Sequence, residues 1–86
     1  MGNEFFTVNA QPNELPAARL GMSVAVRTMG GAVARNRLRR MIRESFRLHQ
    51  SLLAPLDIVV GVRSAARTAA PAELRASLEG LWQKLR

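Results

Sequence analysis

Arginines that could hold a polyanion are concentrated between residues 35 and 47, in the stretch RNRLRRMIRESFR. Its basic side chains are Arg35, Arg37, Arg39, Arg40, Arg43 and Arg47, and its only acid is Glu44. Guanidinium groups match phosphate oxygens with paired N–H donors and also stack on bases. Like charges one helical turn apart repel each other unless a polyanion compensates them. The predicted chemistry is therefore the binding of nucleic acid.

Helical periodicity extends from Ala32 to about Gln50, after the break at Gly30 and Gly31. When residues are placed at about 100° intervals around the helix axis, a set of polar residues falls within one sector of roughly 140°. This set, the arginine face, is Arg35, Asn36, Arg39, Arg40, Arg43 and Arg47, with Arg37 at its edge. The opposite side, predicted to face the core, contains Leu38, Met41, Ile42, Ser45 and Leu48. Glu44 lies at the margin, within one turn of Arg40 and Arg47.

Two other interpretations of the arginine face compete with nucleic-acid binding. A solvated charged surface is the usual fate of a charge run, but such surfaces normally mix acids with bases. A basic amphipathic helix can also lie on an anionic membrane if its apolar face is free to insert. Here the apolar face is needed to cover the rest of the fold, so we expect no membrane contact.

Side chains suited to protein-borne catalysis are scarce. The chain has no cysteine and a single histidine, His49, so disulfides, thiolate metal sites and a hydrolytic triad have no support. Asp57 and the five glutamates are scattered along the sequence. We predict that no protein residue is catalytic, that no metal is held by protein alone, and that His49 has a core or capping role.

Length and composition predict one domain, residues 1–86, with a folded core, since 48% of the residues are apolar. A net charge of +7, almost all of it from arginine, again indicates a polyanionic partner. No apolar run approaches the roughly 20 residues of a membrane helix, and no signal peptide opens the chain. With the lack of cysteine, this favours a cytoplasmic protein.

Three segments have the pattern of strands. The first, EFFTVNA, ends in turn-forming residues 11–16, and the second follows as alternation of Leu20, Met22, Val24 and Val26. Together they predict a β-hairpin with a long loop. The apolar run 58–62 predicts a strand that is buried on both faces and hence central in its sheet.

A second helix is predicted from Pro71, a favourable first residue, with Glu73 in the first turn. Its leucines and Trp82 repeat at helical spacing, which places Trp82 in the core. The order is strand, strand, helix, strand, helix, typical of a small α+β two-layer sandwich in which a helix crosses between two strands of one sheet.

The stretch from Arg35 to Arg47 resembles the RNR signature of the protein component of bacterial ribonuclease P. Three further segments fit the same family, namely RLGMSV at 19–24, DIVV at 57–60 and LEGLW at 78–82. The similarity therefore covers nearly the whole chain. Such a collinear pattern is far more specific than basic composition.

The resemblance implies a small α/β sandwich whose RNR helix lies in a left-handed crossover between parallel strands. It implies a large catalytic RNA as the partner and precursor tRNA as the substrate, with removal of the 5′ leader as the reaction. In this family the RNA and its Mg²⁺ ions perform the chemistry, and no obligate protein partner is expected. The family's RNA-contacting positions correspond here to Arg35, Asn36, Arg37, Arg39, Arg40 and Arg43, and the arginine face adds Arg47.

The sequence departs from the family pattern in two places. It begins after the family's N-terminal arm and first helix, which leaves Phe5, Phe6 and Thr7 as the expected remnant of the leader cleft. Thr28, Gly30 and Gly31 stand where basic residues are common, which predicts a smaller RNA footprint. The alternative function is a non-enzymatic module that binds structured RNA, either ribosomal-protein-like or a truncated form.

Overall fold

The elements occur in the predicted order in the computed structural model, which describes residues 1–25 and 29–86. They are strand β1 (Phe6–Pro12), strand β2 (Arg19–Ser23), helix α1 (Ala32–His49), strand β3 (Leu56–Val62) and helix α2 (Pro71–Lys84). One-turn 3-10 segments follow α1 at Gln50–Leu52 and β3 at Ser64–Arg67. The α+β prediction is confirmed, and α2 begins at Pro71 as predicted.

The sheet has the order β1-β3-β2, with β3 antiparallel to β1 and parallel to β2. The central place of β3 is confirmed, but the predicted hairpin is wrong because β1 and β2 lie on opposite edges. The chain between them passes the end of β3, where the Asn13 N–H donates to Pro55 O at 3.0 Å. Placing β3 in the middle gives its apolar run backbone partners on both sides. The connection from β2 to β3 therefore spans parallel neighbours and contains α1.

Only one face of β3 is covered by the helices. Ile58 and Val60 are buried on the inner face, whereas the Val59 side chain between them is 45% exposed on the outer face. The prediction that β3 is buried on both faces is therefore wrong. The alternation of side chains across a strand explains the difference, since both helices pack on the same side of the sheet.

The predicted second strand is only partly described. β2 ends at Ser23, and Val24 is buried just beyond it. Val26, the last residue of the predicted alternation, and Thr28, one of the positions noted for lacking basic charge, lie outside the described residues.

The core lies between the inner face of the sheet and the two helices. Its fully buried side chains of largest volume are Trp82, Phe6, Ile42, Ile58, Leu78, Leu81 and Val60. The placement of Trp82 in the core is thus confirmed. In the part of the chain that the structure describes, no helix combines the length and apolar character needed to cross a membrane.

The core-facing side of α1 differs from the prediction at two positions. Leu38, Ile42 and Ser45 are buried as expected, but Leu48 is 68% exposed and Phe46 is buried instead. The buried arc is rotated towards Phe46 because α1 must contact α2 as well as the sheet. This rotation decides which arginines face solvent.

Candidate nucleic-acid interface

The predicted arginine face forms one side of α1. Its exposed members are Asn36, Arg37, Arg40, Arg43 and Arg47, while Arg35 and Arg39 are half-buried. All seven belong to an 18-residue helix with a continuous backbone, so their spacing is rigid. The structure therefore brings the predicted residues together on one surface.

Arg35 is set deeper than the prediction placed it. The rotation of α1 moves this residue to the border of the core, and its Nε is buried with no hydrogen-bond partner among the described residues. A buried N–H without a partner is unfavourable, so the position of Arg35 costs the fold some stability.

Within the part of the chain that the structure describes, the cations of the arginine face have no carboxylate within salt-bridge distance. Among residues 1–25 and 29–86, the only ion pair within 4.0 Å joins Arg19 to Asp57, on another side of the molecule. Glu44, predicted to lie within reach of Arg40 and Arg47, forms no salt bridge with either. The repulsion within this face is therefore uncompensated by the described chain, and a polyanion would relieve it.

The rotation of α1 is fixed by contacts with α2. The Trp82 Nε1–H donates a hydrogen bond of 2.8 Å to Ser45 Oγ, and both side chains are buried. The rings of Phe46 and Trp82 meet edge to face, with centroids 5.8 Å apart and planes at 70°. These directional contacts hold the opposite side of the helix towards solvent.

His49 lies half-buried at the end of α1 with its Nδ1 2.8 Å from Ser45 O. A hydrogen bond to a helix carbonyl near the last turn is the capping role that was predicted.

The outer face of the sheet, on the side away from the helices, is a second exposed surface. Register places three rows of side chains across it, each running from β1 through β3 to β2. The rows are Gln11–Asp57–Arg19, Asn9–Val59–Gly21 and Thr7–Gly61–Ser23. Because Gly21 and Gly61 carry no side chain, the middle of this face is shallow.

The predicted leader-cleft remnant is only partly on that surface. Thr7 is half-buried on the outer face, against Gly61. Phe6 is fully buried in the core and Phe5 is 9% exposed, so neither offers a ring for base stacking. Strand alternation turns Phe6 and Val8 inward together, so Thr7 is the member of this set that lies on the outer face.

An ion pair on the outer face was missed by the sequence interpretation. Arg19 binds Asp57 through two hydrogen bonds, from Nε to Oδ1 at 2.8 Å and from Nη2 to Oδ2 at 2.7 Å. Asn13 Nδ2 adds a third at 2.9 Å. These donors, Arg19 first and Asn13 second, lower the pKa of Asp57 to about 2. The partners are far apart in sequence, so only the parallel register of β2 with β3 could have signalled the pair.

Arg63 and Arg67, which follow β3, could extend the basic surface or be ordinary loop charges on sequence grounds. Both are exposed. Arg67 lies beside Gly30, just before α1, with its Nη2 3.4 Å from the place that a Cβ at Gly30 would take. Arg63 lies instead near Gly2, its Nη2 3.2 Å from the corresponding point. Arg67 therefore lies beside the N-terminus of α1, the helix that carries the arginine face.

The fold and the exposed surface of α1 together define a class of protein. A three-stranded sheet backed by two helices presents one rigid array of cations without carboxylate partners among the described residues. That arrangement is typical of a small RNA-binding protein that contacts phosphates from a helix face.

Comparison with known proteins identifies the family within this class. A family model described as Ribonuclease P matches residues 1–86. The ribonuclease P protein component of Halorhodospira halophila is 44% identical over 84 residues, covering 98% of this chain and 69% of that protein. The Vibrio cholerae protein component is 43% identical over 84 residues, covering 98% of this chain and 71% of that protein.

Solved structures agree with the sequence comparison. The Staphylococcus aureus RNase P protein superimposes with a TM-score of 0.90 at 35% identity, covering 98% of this chain and 77% of that one. The Thermotoga maritima RNase P protein in complex with 1-(4-fluorophenyl)-2-thiourea gives 0.87 at 33% identity, covering 100% and 84%. The chain belongs to the ribonuclease P protein family.

Proposed function

We propose that this chain assists a ribonuclease P RNA in the endonucleolytic removal of the 5′ leader from precursor tRNA. The observation that carries the proposal is the family match over residues 1–86. The same match favours this function over a structured-RNA-binding module without a role in cleavage. The uncompensated arginine face of α1 provides the physical means of association with RNA.

The RNA-binding residues in this proposal are Arg35, Asn36, Arg37, Arg39, Arg40, Arg43 and Arg47. The exposed arginines neutralise backbone phosphates, which position the RNA without reading its sequence. Asn36 has a side-chain amide that can donate and accept, so it suits a sugar or base edge. Arg35 is half-buried, with its Nε at the border of the core, so its contact with RNA would come from the exposed part of the side chain.

Bond cleavage in this proposal belongs to the RNA and to Mg²⁺ ions that the RNA holds. Among the described residues, no group of three or more His, Asp or Glu side chains is placed to bind a metal ion. Asp57, the only aspartate, is already engaged by Arg19 and Asn13. The side chains present do not fit a protein-held magnesium site, so we assign the protein no catalytic residue.

The protein's contribution is electrostatic. Two RNA segments brought together repel through their phosphates, and at high Mg²⁺ the ions screen that repulsion. At low Mg²⁺ the fixed cations of α1 take over part of this screening. The protein should therefore stimulate cleavage most when Mg²⁺ is scarce.

The leader, in the same proposal, lies on the outer face of the sheet. Thr7, Asn9 and Ser23 supply polar groups there, and the Thr7 side chain lies over Gly61. Arg19 is 64% exposed despite its bond to Asp57, so it can also meet a phosphate. We further propose a cytoplasmic location, no membrane partner and no obligate protein partner.

Reconstitution tests the proposal. The protein is mixed with a transcript of a bacterial ribonuclease P RNA, and the release of the 5′ leader from precursor tRNA is followed across a Mg²⁺ series. We expect stimulation over RNA alone, largest at low Mg²⁺. Tight RNA binding without stimulation at any Mg²⁺ concentration would favour the alternative, a non-enzymatic RNA-binding module.

A further inference from the structure

A groove runs between α1 and the segment that joins β3 to α2. Arg37 from α1 and Arg67 from the 3-10 turn Ser64–Arg67 both line it. Its floor is apolar and includes Met29, Leu38 and Leu74. Two exposed guanidinium groups from separate elements therefore border one concave surface.

Gly30 explains how Arg67 reaches this position. Its φ of +80° is in the left-handed region that glycine adopts readily, and its missing side chain leaves space for the Arg67 guanidinium. The guanidinium packs against this bare backbone immediately before α1. Gly30 and Gly31 carry no charge themselves. Arg67, which is distant from them in sequence, therefore supplies a cation beside the N-terminus of α1.

The charge of this groove contrasts with that of the other cavity between the helices. That second cavity is lined by Glu44 and Glu79 together with Arg75 and His49. Among the described residues, no carboxylate lines the groove of Arg37 and Arg67. The lining of the groove is therefore more favourable for an anion than that of the second cavity, where two carboxylates face one arginine.

We propose that Arg37 and Arg67 together bind one backbone phosphate of the partner RNA, so that the RNA footprint extends from the arginine face across the groove to the turn after β3. A phosphodiester fits because a guanidinium donates paired N–H hydrogen bonds to its non-bridging oxygens, and two guanidinium groups can bind the same phosphate. Arg37 belongs both to the arginine face and to the groove. An RNA strand lying along α1 can therefore reach the site without a change in the conformation of the protein. The inference rests on the proposed function and adds to it a contact outside α1.

Affinity for a ribonuclease P RNA transcript, measured by filter binding across a salt series, tests this site. Arg67→Ala should weaken binding about 3- to 10-fold near 0.1 M salt and reduce the log–log salt slope by about 0.7 to 0.9. Arg75→Ala, on the flank that carries Glu44 and Glu79, removes the same charge and should change affinity less than about 2-fold. Equal effects of the two substitutions would overturn the site.

A double-mutant cycle tests whether one phosphate is shared. If both arginines hold the same group, Arg37→Ala and Arg67→Ala together should cost clearly less than the product of their separate fold-changes. Multiplying effects would mean separate contacts and would overturn the shared site. Arg67→Gln, with a thermal melt for every variant, supplies the same test should the alanine variant fold poorly.

Rescue separates charge from structure. A Cβ at Gly31 would meet nothing within 4 Å, so position 31 can accept the first atom of a side chain, and Gly31→Arg is added to Arg67→Ala. We expect the double variant to recover most of the lost affinity and salt slope. Absence of recovery would contradict an electrostatic role for Arg67.

The outcomes also distinguish this inference from the proposed function. Loss of affinity in Arg39→Ala/Arg43→Ala with no loss in Arg67→Ala would leave the proposed function in place and remove the new site. Failure of the unaltered protein to bind the RNA would overturn both.

Discussion

The indole of Trp82 and the hydroxyl of Ser45 form a buried hydrogen bond of 2.8 Å that joins α2 to α1. It is a buried polar contact between the two helices, and together with the edge-to-face packing of Phe46 on Trp82 it fixes the rotation of α1 about its own axis. Since the arginine face lies on the opposite side of the same helix, a bond inside the core determines the direction of the RNA-binding cations.

Removal of the Ser45 hydroxyl should destabilise the fold. Ser45→Ala leaves the buried Trp82 N–H without an acceptor, which costs about 1–3 kcal/mol. Urea denaturation followed by Trp82 fluorescence measures the effect, and Ser51→Ala, at an exposed position, is the control with a change near zero. An unchanged midpoint for Ser45→Ala would show that the hydrogen bond adds nothing to stability.

The titration of Asp57 should be displaced to low pH. Its pKa lies at about 2 against an ordinary value of 3.8, so the stability that the ion pair adds is present above about pH 4 and is lost as pH falls through about 2. NMR titration of the Asp57 carboxyl measures this directly. In Arg19→Gln the midpoint should move up towards the ordinary value. A midpoint near 4 in the unaltered protein would contradict the bidentate geometry.

Arg39 and Arg43, two of the six arginines of the arginine face, should account for about a third of the salt dependence of RNA binding. Six phosphate contacts correspond to a log–log slope of about −4 for single-stranded RNA and about −5 for duplex-like RNA. Arg39→Ala with Arg43→Ala should lower affinity and reduce this slope by about 1.4 to 1.8, with the circular dichroism spectrum unchanged. If binding is unaltered, the face is a solvated surface and makes no contact with RNA.

Serine substitutions at Gly30 and Gly31 should have opposite effects. Gly30→Ser forces a side chain into φ +80° and against Arg67, which should cost about 1 kcal/mol or more. Gly31 has φ −66° and ψ 166° and is the N-cap of α1 without a side-chain cap, so Gly31→Ser should stabilise by a few tenths of a kcal/mol. The melting temperatures of the two variants measure both effects. Equal melting temperatures would contradict the assigned backbone conformations.

A carboxylate placed on the outer face of the sheet should repel the leader. Val59→Glu adds a negative charge at the centre of that face, where the side chain is already 45% exposed. Affinity for precursor tRNA should fall several-fold while affinity for mature tRNA stays constant. Leu52→Glu, at an exposed position after α1, is the matched control. Equal loss for precursor and mature tRNA would place the leader elsewhere.

Local sequence signals predicted the helices well. Gly30–Gly31 and the 3.6-residue period located α1, Pro71 located the start of α2, and helical spacing placed Trp82 in the core. The position of the arginine face followed from the same period. These features depend on neighbours within a few turns, which a sequence displays directly.

Strand pairing was predicted less well because it depends on residues far apart. The predicted hairpin of β1 with β2 was wrong because β3 lies between them in the sheet. No local sequence signal marks that position of β3. The ion pair of Arg19 with Asp57 and the approach of Arg67 to Gly30 follow from the same long-range arrangement. The inward turn of Phe6 depends on which face of the sheet the helices cover, which alternation alone leaves open.

The central position of β3 also has a consequence for biosynthesis. Both edge strands leave the ribosome before the strand that pairs with them, so residues 6–23 have no sheet to join until Val62 has been made. Helix α1 needs only local contacts and can form earlier. The cationic helix is therefore synthesised before the sheet can form, and the core is complete only when α2 has followed with Leu78, Leu81 and Trp82.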